Sequence, residues 1–85
     1  MVEKYDLIKS VNTRHKGSVI VIKFFIREVR ENKNLSQEEL AKLSGVSSSH
    51  IGFIENGERQ PTLLVICKLA RALNVDVADL YEYHE

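Results

Sequence analysis

Between residues 36 and 47 the chain carries two helix starts and one helix stop, and this punctuation constrains the fold more than any other feature. "SQEE" (Ser36, Gln37, Glu38, Glu39) is a capping box. The Ser36 hydroxyl can accept from the Glu39 backbone N–H while the Glu39 carboxylate reaches back to the Ser36 N–H. The spacing predicts a helix from there, with Leu40, Ala41 and Leu43 facing inward. Gly45 supplies a left-handed residue to end it, and Ser47 can cap a second helix after a very short turn. That helix is expected at about 48–55, with Ile51 and Ile54 at helical spacing, and it stops at Asn56-Gly57. Two short helices therefore meet across one tight glycine turn.

The rest of the chain follows the same grammar. "ERQPT" reads as a loop, with Pro61 and Thr62 leading into a helix over about 63–73 whose apolar face runs through Leu63, Ile66, Cys67, Ala70 and Leu73. Asn74 can take a left-handed end, and Asp76 can cap a last short helix docked by Val77, Leu80 and Tyr81. Upstream, Ile22, Phe25, Ile26 and Val29 recur at helical spacing up to Asn34. The run "SVIVI" is β-branched enough for a strand, but its continuity with "KFFIREVREN" favours a first helix starting near Ser18. Residues 1–17 have no clear period and read as a basic arm, leaving 18–85 as one domain with the paired helices at about 36–55. A chain of 85 residues builds a single core, and a partner subunit would add to its modest stability.

Formal charge is zero, from 12 basic and 12 acidic residues, which argues against nucleic acid until the distribution is considered. Lys4, Lys9, Arg14, Lys16, Lys23, Arg27, Arg30 and Lys33 all precede position 34, whereas Asp76, Asp79, Glu82 and Glu85 close the chain with no basic residue among them. The dipole suits a basic face toward phosphate and an acidic end turned away, although two solvated faces would look the same. Other functions lack their residues. His15, His50, His84 and Cys67 have no metal-ligand spacing, so no metal or cofactor is expected. The serines beside His50 share one helix with no matching acid, no glycine-rich phosphate loop occurs, and catalysis is not expected. Cys67 sits in an apolar run and reads as core. The longest apolar stretch, "SVIVIKFFI", is too short to span a membrane, and no signal peptide precedes it, so a cytoplasmic protein is expected.

The segment from Ile26 to Glu82, with "LSQEELA", "SGVS", "IENG", a proline before a long helix and "LNV", resembles the Cro/repressor-type (XRE-like) helix-turn-helix family. The resemblance implies an all-α, compact five-helix repressor-type domain that binds double-stranded DNA, generally as a homodimer, with the second helix of the motif in the major groove. It places Ser48, Ser49, Gly52 and Phe53 toward base edges, and Ser36, Gln37, Ser47, Asn56 and Arg59 toward phosphates. It assigns Arg30 and Glu55 to a structural pair, and Lys9, Arg14 and Lys16 are candidate arm contacts. Asn34 and Asn74 stand where relatives usually have glycine, and asparagine is the next best left-handed residue.

The reading helix carries no lysine or arginine. Affinity would then come from phosphate contacts elsewhere, with serines discriminating weakly and Phe53 offering an apolar surface to a thymine methyl. The expectation is a sequence-specific transcriptional regulator, a repressor on a pseudo-palindromic operator. The same neutral helix and Phe53 also suit the alternative, a protein-interaction module of antitoxin or anti-regulator type that binds a protein partner.

Overall fold

The computed structural model describes residues 21–84, and the arm residues Lys9, Arg14 and Lys16 lie outside that range. Four helices and a two-stranded sheet follow in the order β1 (Val21–Phe24), α1 (Ile26–Asn32), α2 (Gln37–Ser44), α3 (Ser48–Glu55), α4 (Leu63–Leu73), a 3-10 turn (Val77–Leu80) and β2 (Tyr81–His84). The expected start of a first helix near Ser18 is corrected: the β-branched stretch is a strand where it is described, and the helix begins at Ile26. β1 pairs antiparallel with β2, in the register Val21 with His84 and Phe24 with Tyr81. Phe25 N–H then donates to the Leu80 carbonyl at 2.8 Å, so the first helix opens directly off the sheet. The all-α, five-helix expectation is corrected with it, because the fifth helix is one 3-10 turn that runs into β2.

The described core is a single cluster formed by Ile26, Leu40, Val46, Ile51, Ile54, Ile66, Leu69, Ala70, Leu73 and Leu80. Each helix contributes an inward stripe, and Val46 fills the turn between α2 and α3. The chain reverses through left-handed residues at Asn34 (φ 58°), Gly45 (φ 77°), Gly57 (φ 76°) and Asn74 (φ 57°), and the two asparagines do the work of glycines. Three inward assignments are corrected. Leu43 is 61% exposed, Leu63 is 76% exposed, and Cys67 is exposed on the outer side of α4. The stripe of α4 runs instead through Ile66, Leu69, Ala70 and Leu73, which turns the helix so that Leu63 and Leu64 face outward.

Candidate nucleic-acid interface

The paired helices are locked before any ligand arrives. At the start of α2 the capping box forms: Glu39 N–H donates to Ser36 Oγ at 3.0 Å, and Ser36 N–H donates to Glu39 Oε1 at 2.8 Å. Donation from the Ser36 N–H to the charged form, with the Ser36 hydroxyl adding to it, holds the Glu39 carboxyl below its ordinary value. Ser47, two residues beyond Gly45, caps α3: its Oγ accepts from His50 N–H at 3.1 Å. Ile51 and Ile54 are buried, which fixes the rotation of α3 about its axis. Ser49 and Phe53, four residues apart, are left exposed, with Ser48 and Gly52 half-buried beside them.

Beneath this face lies a polar hub centred on Glu55, whose side chain is fully buried. Arg30 grips its carboxylate with two donors, Nε to Oε2 at 2.7 Å and Nη2 to Oε1 at 3.0 Å, and sends Nη1 to the Leu35 carbonyl at 2.7 Å. Gln37 Nε2 adds a bond to Glu55 Oε1 at 2.9 Å, and Arg27 Nε one at 3.4 Å. Burial pushes the Glu55 carboxyl up, but the hydrogen bonds from Arg30 and Gln37 and the Arg30 charge overcome it and hold the group below the ordinary range. The same contact raises the Arg30 guanidinium further. One carboxylate thereby ties α1, α2 and α3 together, and no buried side-chain polar atom among the described residues lacks a partner.

The hub absorbs several residues that the sequence points toward phosphate. The Gln37 amide lies over α3, where a Cβ added at Gly52 would meet its Nε2 and Oε1 at 3.7 Å. The Asn56 side-chain oxygen accepts from Arg27 Nη2 at 2.7 Å, fixing the end of α3 against α1. Ser36 and Ser47 spend their hydroxyl acceptors on caps, although both stay exposed. Arg59 is exposed, and its guanidinium carbon lies 5.1 Å from the centroid of the Phe53 ring. At an exposed site such a cation–π contact contributes about 0.5–1 kcal/mol. Sequence reasoning missed two features. Arg27 falls one turn before Arg30 on α1, and that i, i+3 spacing was the available signal for a second arginine on the hub. No local spacing reveals the stack of Arg59 on Phe53, because it depends on how the loop after α3 folds back.

The described residues form no cluster of His, Cys, Asp or Glu able to hold a metal, and none of their helices is long and apolar enough to cross a membrane. Comparison with known proteins agrees with this geometry. The helix-turn-helix family model matches residues 26–80, from the first turn of α1 to the end of the 3-10 turn. An uncharacterised HTH-type transcriptional regulator of Archaeoglobus fulgidus is 40% identical over 60 residues, which is 71% of this chain and 84% of that protein. Control protein C.SmaI of Serratia marcescens is 46% identical over 55 residues, 65% of this chain and 66% of its own length. Among solved structures, the restriction-modification controller protein C.AhdI of Aeromonas hydrophila superposes with a TM-score of 0.62 at 46% identity, covering 64% of this chain and 82% of that one. The protein belongs to the helix-turn-helix family of DNA-binding transcriptional regulators, in its XRE-like branch.

Proposed function

We propose that the protein represses transcription by occupying a pseudo-palindromic operator as a homodimer, with α3 of each subunit in the major groove. One observation carries the reading: on a helix whose other residues are locked inward by Ile51, Ile54 and the Glu55 hub, the side holding Ser49 and Phe53 is left open. A rigid helix with a short-chain polar and apolar face can approach base edges closely, while longer cationic side chains outside it meet the phosphates. The basic residues of the arm are cations for that purpose, and the acidic β2 end would point away from the duplex. Dimer formation has support in the apolar surface that the fold leaves uncovered at Ile22, Leu63, Leu64, Tyr81 and Tyr83. Two relatives at 46% identity are named as control proteins, which favours transcriptional control over a protein-binding module. The reading contains no catalytic step and places the protein in the cytoplasm, where its DNA is.

Selection of bound duplexes from a random pool at about 0.1 M salt tests it, because non-specific phosphate binding is already weakened there. The expected result is a two-fold symmetric motif with half-sites about one helical turn apart. Recovery of nothing above background would overturn the reading and direct the search to a protein partner.

A further inference from the structure

The loop that follows α3 is not a free connector. Gly57, at φ 76°, turns the chain back, and the Phe53 carbonyl then accepts from both Glu58 N–H at 2.8 Å and Arg59 N–H at 3.3 Å. Gly57 N–H donates to the Ile54 carbonyl at 3.1 Å, and Arg27 holds Asn56 from the other side. The backbone of Arg59 is thus tied to the same residue whose ring its side chain covers. An aromatic ring and a guanidinium are presented together at the end of the open face of α3.

Resting on the operator reading, we infer that Phe53 and Arg59 form one composite base reader, which recognises a thymine and a guanine on neighbouring base pairs. An arginine presents paired donors that match guanine O6 and N7, and an apolar ring matches the thymine C5-methyl group. The separation keeps the two bases close: the guanidinium lies 5.1 Å from the ring centroid, between one base-pair step of about 3.4 Å and two. Stacking on Phe53 also removes rotamers that a long arginine would otherwise have to give up on binding, so Phe53 positions Arg59 as well as touching the methyl. The charge missing from the reading helix is supplied by the loop behind it. Because 5-methylcytosine carries its methyl group at the same place in the major groove as thymine, the pair favours either over an unmethylated pyrimidine.

The test begins with the selected duplex and replaces the thymine by deoxyuridine, which removes the methyl group and leaves base pairing intact. Wild-type affinity should fall about fourfold, the equivalent of one buried methyl. Phe53→Ala should bind the two duplexes equally, and 5-methylcytosine in place of thymine should restore binding relative to cytosine. Arg59→Lys keeps the charge but not the fork, and should lose about five- to 150-fold discrimination at the guanine while its affinity for random duplex changes little. Phe53→Leu keeps an apolar contact and loses the stack, so it should weaken guanine selection while retaining the methyl preference. Both residues are exposed, and circular dichroism checks that the variants stay folded. Equal binding of thymine and deoxyuridine duplexes by the wild type would overturn the inference. So would an Arg59→Ala chain that binds every duplex more weakly with its base preferences unchanged, and either result would leave the operator reading standing. A wild-type chain that selects no motif would overturn both.

Discussion

Replacing Glu55 by glutamine keeps the shape of the hub and removes its charge. The buried carboxylate accepts two charge-assisted bonds from Arg30, one bond from Gln37 and one longer one from Arg27. A glutamine amide has one acceptor where the carboxylate has two, and its NH2 group would face a guanidinium donor. Breaking a buried ion pair by removing one partner costs about 3–5 kcal/mol, mostly because the other charge stays buried without compensation. The lower end applies here, about 3 kcal/mol, since the Arg27 side chain is 45% exposed and Arg30 keeps its bond to the Leu35 carbonyl. For a domain of this size each kcal/mol moves Tm by about 4–8 °C, so the variant should melt about 12–24 °C lower at pH 7. The pH dependence is a second signature. A carboxyl whose folded pKa is depressed contributes its stability above the unfolded value, 4.5, and loses it as pH falls through the lower folded value. The gap between wild type and Glu55→Gln should therefore narrow once the pH drops below 4.5. Urea unfolding followed by circular dichroism at pH 7 and at about pH 3 measures both. A loss smaller than about 1 kcal/mol at pH 7, or a gap unchanged in acid, would refute the account of the hub.

Four further substitutions follow from the fold. Gly52→Ala places a methyl group at ordinary contact distance from the Gln37 amide and removes a helix-interior glycine, so urea unfolding should show a gain of about 0.5–1 kcal/mol. Ser36→Ala removes the side-chain half of the capping box at α2 and should cost about 1 kcal/mol in the same assay. Leu69→Ala, at a fully buried position missing from the sequence-derived stripe of α4, should cost about 2–5 kcal/mol, whereas Cys67→Ser on the exposed side should stay within about 0.5 kcal/mol of wild type.

The helices around the motif were legible because their boundaries are local. Ser36 with Glu39, Ser47, Gly45 and the Thr62 cap each act within about four residues, and α2, α3 and α4 occupy the ranges those signals mark. What could not be read was settled across the chain. Val21 and Ile22 are β-branched enough for a strand, but continuity with the helix that follows favours a helix start, and only pairing with Tyr81–His84 decides for the strand. The outward rotation of Leu63 and Cys67 is decided in the same way, by which side of α4 meets α2 and the 3-10 turn, since periodicity locates a stripe to within a residue or so. At the site, the open face of α3 followed from the burial of Ile51 and Ile54. The sharing of Gln37 and Asn56 with the Glu55 hub did not, because it needs three helices and a loop to converge on one carboxylate.

The pairing of β1 with β2 sets a timetable for synthesis. On the ribosome the strand at Val21–Phe24 emerges early and waits for a partner that ends at His84, while α2, α3 and α4 can assemble as soon as they are exposed. The entropic cost of that long closure is modest, because doubling a loop adds only about 0.6 kcal/mol. The delay matters more than the energy. Until β2 is available the strand is unpaired, and with Val21 and Ile22 open it is an edge on which another nascent copy could pair.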